Sequence, residues 1–353
     1  MYYVNENIRN LYRIKFHDKR GQVLRLDMNE NPTGLPEEFV EEVKKKITPS
    51  FIATYPEKGE LEEIIAEHNN IKRENITLTA GSDEAMRLIF QCFGEPGKAL
   101  LTVSPTFELY DVYSKMFGMS HITANYDEDF NISVQDIMDL MNKEVGIVTL
   151  LNPNSPIGNV FSLEEVECVI RKAQEIGSIV IIDEAYHYFY EKTFISLINQ
   201  YDNVIVLRTF SKLCSVAGLR IGYAAANPQL INYIENAQST FNVSNVAILF
   251  ATEILKRPDL IETLIKEEEE GRNWLYSKLV EKGYEVQTTH ANYILFKPRT
   301  KSKRLVELLK EDNVWVRDYS KGVLEGWLRV STGSQSVMQL FYDALSKYEA
   351  MDN

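Results

Sequence analysis

The chain has 353 residues, 44% hydrophobic and 25% charged, enough for a sizeable core and for more than one typical domain. Its formal net charge of −13 argues against nucleic acid or an anionic membrane as partner, because both need a basic face. Three widely separated cysteines, Cys92, Cys168 and Cys214, make neither a disulfide framework nor a metal-ligand spacing, no run approaches a membrane span, and a reducing, cytoplasmic setting is expected.

Residues 1 to about 25 are polar and aromatic, without a clear period. Leu26 to Gly34 reads as a turn-rich loop, and Pro36 to Ile47 as a helix with an acidic start and a lysine-rich end. Tyr55-Pro56 is an extended dipeptide before a helix at about Glu60 to Asn69. Short apolar strands then alternate with amphipathic helices. The strands fall at 76–79, 99–103, 121–124, 146–151, 178–183, 204–207 and 221–225, and the helices include 83–93, 109–117, 163–176 and 229–237. This alternation predicts an α/β fold with a mostly parallel sheet covered on both faces, and in such sheets ligands sit beyond the carboxyl ends of the strands. After about 245 come helices at 245–255 and 259–280, strands near 293–296, 314–317 and 327–331, and helices at 302–309 and 335–347. They read as a smaller α+β unit with the N-terminal segment packed on it. The expected division is a large domain over 30–250 and a small one built from 1–29 and 251–353.

Candidate chemistry clusters at the strand ends. Lys212 lies in a short loop after an apolar strand, among Thr209 and Ser211, with Gly218-Leu219-Arg220 close behind. A lysine placed there is poorly sited for solvation and well sited as a nucleophile toward a carbonyl, and a Schiff base with pyridoxal phosphate is the best-known use of one. Asp183 closes the preceding strand in Asp-Glu-Ala-Tyr. It suits a metal, a Walker B acid or a protonated ring nitrogen; the first lacks companion ligands and the second lacks a phosphate loop. Ala80-Gly-Ser-Asp-Glu84 joins a strand to a helix, so its backbone N–H groups can hold an anion, although Ser82 is equally an ordinary N-cap. Phe107 follows a strand and either packs in the core or stacks on a flat ring. Arg329 and Arg317 stand in apolar strands, where an arginine needs a carboxylate partner; Asp318 is an internal candidate for Arg317. The run Lys266 to Glu270 reads as a solvated face.

Read together, ENIRNL (6–11), LDMNENPTG (26–34), YPE (55–57), AGSDE (80–84), SPTF (104–107), NPNSPIG (152–158), DEAY (183–186), RTFSKLCSVAGLRIGY (208–223), FNVS (241–244), ANYILF (291–296) and WLRVSTG (327–333) resemble the fold-type I, class I/II pyridoxal-phosphate-dependent aminotransferases. The histidinol-phosphate aminotransferases are the most similar group within them, and the resemblance runs from about Asn5 to Lys347. It implies a large domain with a seven-stranded, mostly parallel sheet. It implies Lys212 as the Schiff-base lysine that also moves the proton, Asp183 on the pyridine nitrogen, Tyr186 on the ring hydroxyl and Phe107 stacked on the ring. Ser82 and Asp83 by their backbone, Thr209 or Ser211, and Arg220 would hold the cofactor phosphate. Tyr55 would reach that phosphate from the neighbouring subunit of a homodimer. Arg329 would clamp a substrate carboxylate with Asn29 nearby, and Arg317 would meet a substrate phosphate.

Two positions depart from the family pattern. Ser155 stands where an asparagine usually contacts the ring oxygen, and Ile14 stands where a tyrosine often touches the substrate phosphate, with Tyr12 two residues away. The expected activity is amino transfer between glutamate/2-oxoglutarate and a small, phosphorylated amine or amino alcohol, histidinol phosphate first. A decarboxylase of a phosphorylated amino acid is the alternative on the same fold, and an inactive scaffold is a third reading opposed by the intact Lys212, Asp183 and Arg220.

Overall fold

The computed structural model describes residues 2–13 and 20–349. In chain order its strands are β1 (Leu24–Arg25), β2 (Ile76–Thr79), β3 (Ala99–Ser104), β4 (Ser120–Asn125), β5 (Val145–Leu151), β6 (Ile179–Asp183), β7 (Val204–Thr209), β8 (Gly222–Ala226), β9 (Glu285–Gln287), β10 (Tyr293–Lys297), β11 (Val314–Trp315), β12 (Arg317–Asp318) and β13 (Leu328–Ser331). Among the described residues they form a seven-stranded sheet in the order β2-β8-β7-β6-β5-β3-β4, a four-stranded sheet β12-β13-β10-β9 and a pair β1-β11.

The large sheet is parallel except for β8, which runs against both β2 and β7. Its central strands are near-continuous apolar runs because both faces are covered. Val180, Ile182, Val204 and Val206 face one core, and Ile181, Ile205 and Leu207 face the other. The helix Leu163–Ile176 shows how sequence sets such an element: Ser162 and Glu165 make a capping box, and Gly177 ends it in the left-handed conformation. The reversal of β8 matters for the site. Residues that precede it, Arg220 among them, arrive at the same sheet edge as residues that follow β2 and β7.

A third core joins Leu26 to residues between Leu275 and Tyr348. The long helix Pro258–Glu281 serves two cores, Leu260 and Leu264 packing in the first and Leu275 and Leu279 in the third. The expected strand at 314–317 is broken at Val316. Val314–Trp315 pairs in parallel with Leu24–Arg25, whereas Arg317–Asp318 pairs antiparallel with Leu328–Arg329. The chain changes sheets between them, a step that periodicity does not reveal. Among the described residues no helix is long and apolar enough to cross a membrane.

Candidate active site

Lys212 lies three residues beyond β7, on a loop whose neighbours Ser211 and Leu213 are buried. Its Nζ donates to the carbonyl of Met28 at 3.1 Å and stands 5.6 Å from the centre of the Tyr186 ring. Asp183, the last residue of β6, is buried. Its Oδ2 accepts from the Tyr110 hydroxyl at 2.8 Å and its Oδ1 from the Ala185 N–H at 3.0 Å. Burial pushes the carboxyl up to about 6, against hydrogen bonds from Tyr110 and Ala185 that pull it down.

Tyr186 accepts at its hydroxyl from Asn29 Nδ2 at 2.8 Å. Burial pushes this phenol up, but the charges of Lys212 and Arg329, with hydrogen bonds from Ser155 and Asn29, bring it below its ordinary value. Asn29 is itself buried at φ 55, and its N–H donates to Ser331 Oγ at 2.8 Å. The segment that carries it is thereby tied to both the large sheet and β13.

A cup of donors forms at the edge shared by β2, β7 and β8. The helix Ser82–Phe93 opens there, so the amides of Ser82 and Asp83 have no carbonyl one turn back. The cap is Gly81 rather than Ser82, because Ser82 has already entered the helix. Thr209 and Ser211 share a hydrogen bond of 3.0 Å, and Arg220 Nη1 donates to Ser211 Oγ at 3.4 Å while Nη2 meets Asp83 Oδ2 at 3.4 Å. Two glycines keep the cup open. A Cβ on Gly81 would lie 2.6 Å from Arg220 Nη2, and one on Gly222 would lie 3.0 Å from the Ser82 nitrogen. Free helix amides, hydroxyls and a guanidinium around a space kept clear of side chains suit a phosphate. Lys212, Asp183 and Tyr186 stand at the adjoining ends of β6 and β7, so the residues present fit pyridoxal phosphate.

Phe107 lies between β3 and the helix Leu109–Met116, edge-on to Tyr110 with ring centres 6.5 Å apart. Ser155 is buried in the loop after β5, and its Oγ accepts from Arg329 Nη1 at 3.4 Å. Arg329 Nη2 donates to the Asp27 carbonyl at 2.8 Å, the guanidinium lies 5.4 Å over the Tyr293 ring, and the buried Nε has no protein acceptor. Arg317 is the cross-strand partner of Arg329. Among the described residues no ion pair joins Arg317 to Asp318 or Arg329 to a carboxylate. Like charges directly opposite on a ladder disfavour each other, and an anion between them would relieve that repulsion.

Tyr55 stands apart from these groups, 74% exposed and stacked on Phe241 at 4.2 Å. Tyr12 is exposed, and Ile14 lies outside the described residues. Sequence reasoning missed Tyr110, whose place three residues after Phe107 on an amphipathic helix looks like any core aromatic.

Comparison with known proteins identifies the family. The family model for aminotransferase class I and II matches residues 21–345. A histidinol-phosphate aminotransferase of Caldanaerobacter subterraneus subsp. tengcongensis is 34% identical over 337 residues, covering 91% of this chain and 92% of that protein. The crystal structure of the histidinol-phosphate aminotransferase from Clostridium acetobutylicum superposes with a TM-score of 0.84 at 24% identity, over 93% of this chain and 99% of that one. The enzyme of the same name from Sinorhizobium meliloti, solved in complex with pyridoxal-5'-phosphate, gives 0.82 at 21% identity over 92% and 90%. With the family model spanning nearly the whole chain and a relative 34% identical over 91% of it, the chain belongs to the class I and II aminotransferases.

Proposed function

We propose that this aminotransferase, with pyridoxal 5'-phosphate as cofactor, moves an amino group between glutamate/2-oxoglutarate and a small phosphorylated amine or amino alcohol, histidinol phosphate first. The observation that carries the substrate class is the cross-strand pair Arg317 and Arg329, two cations that face each other on the ladder and, among the described residues, form no ion pair. The relatives are named for transamination of histidinol phosphate, and the decarboxylase reading gives way to it.

Bound pyridoxal 5'-phosphate supplies an electron sink for the carbon that bears the amino group. The protein supplies the rest. Lys212 Nζ would hold the cofactor covalently and, once displaced by the substrate amine, would move the proton at the reacting carbon. Asp183 holds positive charge on the ring nitrogen. Tyr186, with Asn29 behind it, donates to the ring oxygen, and Ser155 offers a shorter hydroxyl where an amide is usual. The Ser82 and Asp83 amides, Thr209, Ser211 and Arg220 hold the phosphate, and Phe107 covers the ring. Arg329, with its free Nε, takes a carboxylate, with Asn29 close by, and Arg317 takes the substrate phosphate. Tyr55 serves the site of a second copy in a homodimer, for which its exposure is the support. The large unit over 30–250, the small unit from 1–29 and 251–353 and a cytoplasmic setting belong to the same reading.

The test is a half-reaction followed by a substitution. Loaded protein given excess L-glutamate without an acceptor should release 2-oxoglutarate. Arg317→Ala should then raise KM for histidinol phosphate at least about tenfold more than KM for glutamate, the loss of one charge-assisted contact. Equal effects on both substrates would make Arg317 a structural residue and remove the phosphorylated substrate.

A further inference from the structure

Tyr110 has no part in the roles just assigned, yet its hydroxyl is a direct partner of Asp183. The side chain is fully buried on the helix Leu109–Met116, and its O–H donates to Asp183 Oδ2 at 2.8 Å. The other carboxylate oxygen takes the Ala185 N–H at 3.0 Å. Phe107 lies edge-on to the Tyr110 ring at 81°, and its carbonyl accepts the Tyr110 N–H at 3.2 Å, so the phenol has a fixed place.

A phenylalanine would fill nearly the same space without bringing a polar atom into the core, so the hydroxyl is retained for its partner rather than for packing. An ionised carboxylate has lone-pair room for more than two donors. With one oxygen fixed by the backbone and the other by a rigid phenol, its plane is set and a direction remains open for a third donor. We propose that Tyr110 is a positioning residue that fixes the orientation and charge of the Asp183 carboxylate for the cofactor's ring nitrogen. This rests on the reading of Asp183 as the partner of that nitrogen.

The groups that act most strongly on Asp183 lie on several elements. Tyr110 and the Ala185 amide bond to it, Lys212 favours its charge, and Asp83 opposes it. Asp183 and, further off, Asp83 are the charges that act on Tyr110. Without the phenol, burial and Asp83 face the amide and Lys212 alone, and the carboxylate holds its proton to higher pH.

The experiment is a double-mutant cycle on cofactor affinity, measured by fluorescence titration of the cofactor-free protein with pyridoxal 5'-phosphate across pH. Tyr110→Phe should weaken binding about tenfold at neutral pH and move the acid limb of binding upward by about one pH unit. Asp183→Asn should weaken binding on its own, and Tyr110→Phe added to it should cost little more, because both act through one contact. If Asp183→Asn leaves binding unchanged, the assignment of Asp183 fails. If Asp183→Asn weakens binding but Tyr110→Phe does not, or if the two losses add in full, Tyr110 is an ordinary core residue. Should Tyr110→Phe fail to fold, a ring-fluorinated tyrosine at Tyr110, a stronger donor of nearly the same shape, should move the acid limb downward; an unmoved limb overturns the proposal.

Discussion

The guanidinium of Arg220 lies against Gly81 so closely that a methyl group there would meet Nη2 at 2.6 Å. Both residues have positive φ, 76 for Gly81 in an extended conformation that favours glycine and 55 for Arg220 in the left-handed one. Gly81→Ala therefore meets backbone strain and a displaced arginine together. The variant should lose about 1 kcal/mol of stability and bind pyridoxal 5'-phosphate about tenfold more weakly. Fluorescence titration of the cofactor-free variant decides it, and unaltered affinity would mean that Arg220 does not hold the phosphate.

Lys212→Ala should abolish covalent capture. Wild-type protein incubated with pyridoxal 5'-phosphate and reduced with borohydride should gain on Lys212 the mass of the cofactor less one water plus two hydrogens, and the variant should not. Its kcat should fall by about 10³-fold or more, the range for loss of a positioned acid–base group. A reduced adduct on another lysine would move the site.

Asp183 gives a pH dependence whose sign can be worked out. Burial raises its folded value to about 6 from 3.8, so between those limits the folded chain holds the proton more tightly than the unfolded chain. Its contribution to stability therefore declines as pH rises through that window. Above it the ionised, cofactor-free site carries a penalty of about 3 kcal/mol. Asp183→Asn should remove that slope and melt a few degrees higher than wild type at neutral pH when both lack cofactor. Calorimetry at several pH values checks it; parallel stability curves for the two proteins would contradict the burial account.

Behind the site, Arg208 Nη2 lies 2.8 Å from Glu184 Oε2 with both side chains buried. Thr193 and the Phe194 amide complete the bonding of Glu184, and Asn69 and Tyr223 that of Arg208. Arg208→Met strands a buried carboxylate and should cost about 3–5 kcal/mol in urea unfolding. Pairing it with Glu184→Leu should cost less than the single change. A double variant worse than the single one would show that the hydrogen bonds, rather than the charges, are what matter there.

Most of the large sheet was legible because its strands are short β-branched runs between amphipathic helices. Val180 to Ile182 and Val204 to Leu207 are rich in β-branched residues and too short for a helix, which favours strands. Asp183, which ends β6, and Lys212, three residues beyond β7, stand out in the sequence as polar groups at or just past the tips of apolar runs. Leu24–Arg25 was not legible, because two residues carry no period. Arg317 was placed in a strand, but its pairing opposite Arg329 depends on a change of sheets at Val316 that only tertiary contacts specify. Tyr110 was invisible because a buried hydroxyl announces itself through its partner, and the partner is 73 residues away.

The tie between Asn29 and Ser331 spans 302 residues of chain. During synthesis, Asn29 leaves the ribosome early and can meet Tyr186 midway, but its Ser331 partner is missing until β13 has emerged. The cup at Gly81, Thr209 and Arg220 is complete much sooner, inside the first two-thirds of translation. The order of manufacture thus separates the two halves of the site: the anion cup can form on a growing chain, whereas Arg329 and the Asn29 segment come together only as the last helix is made.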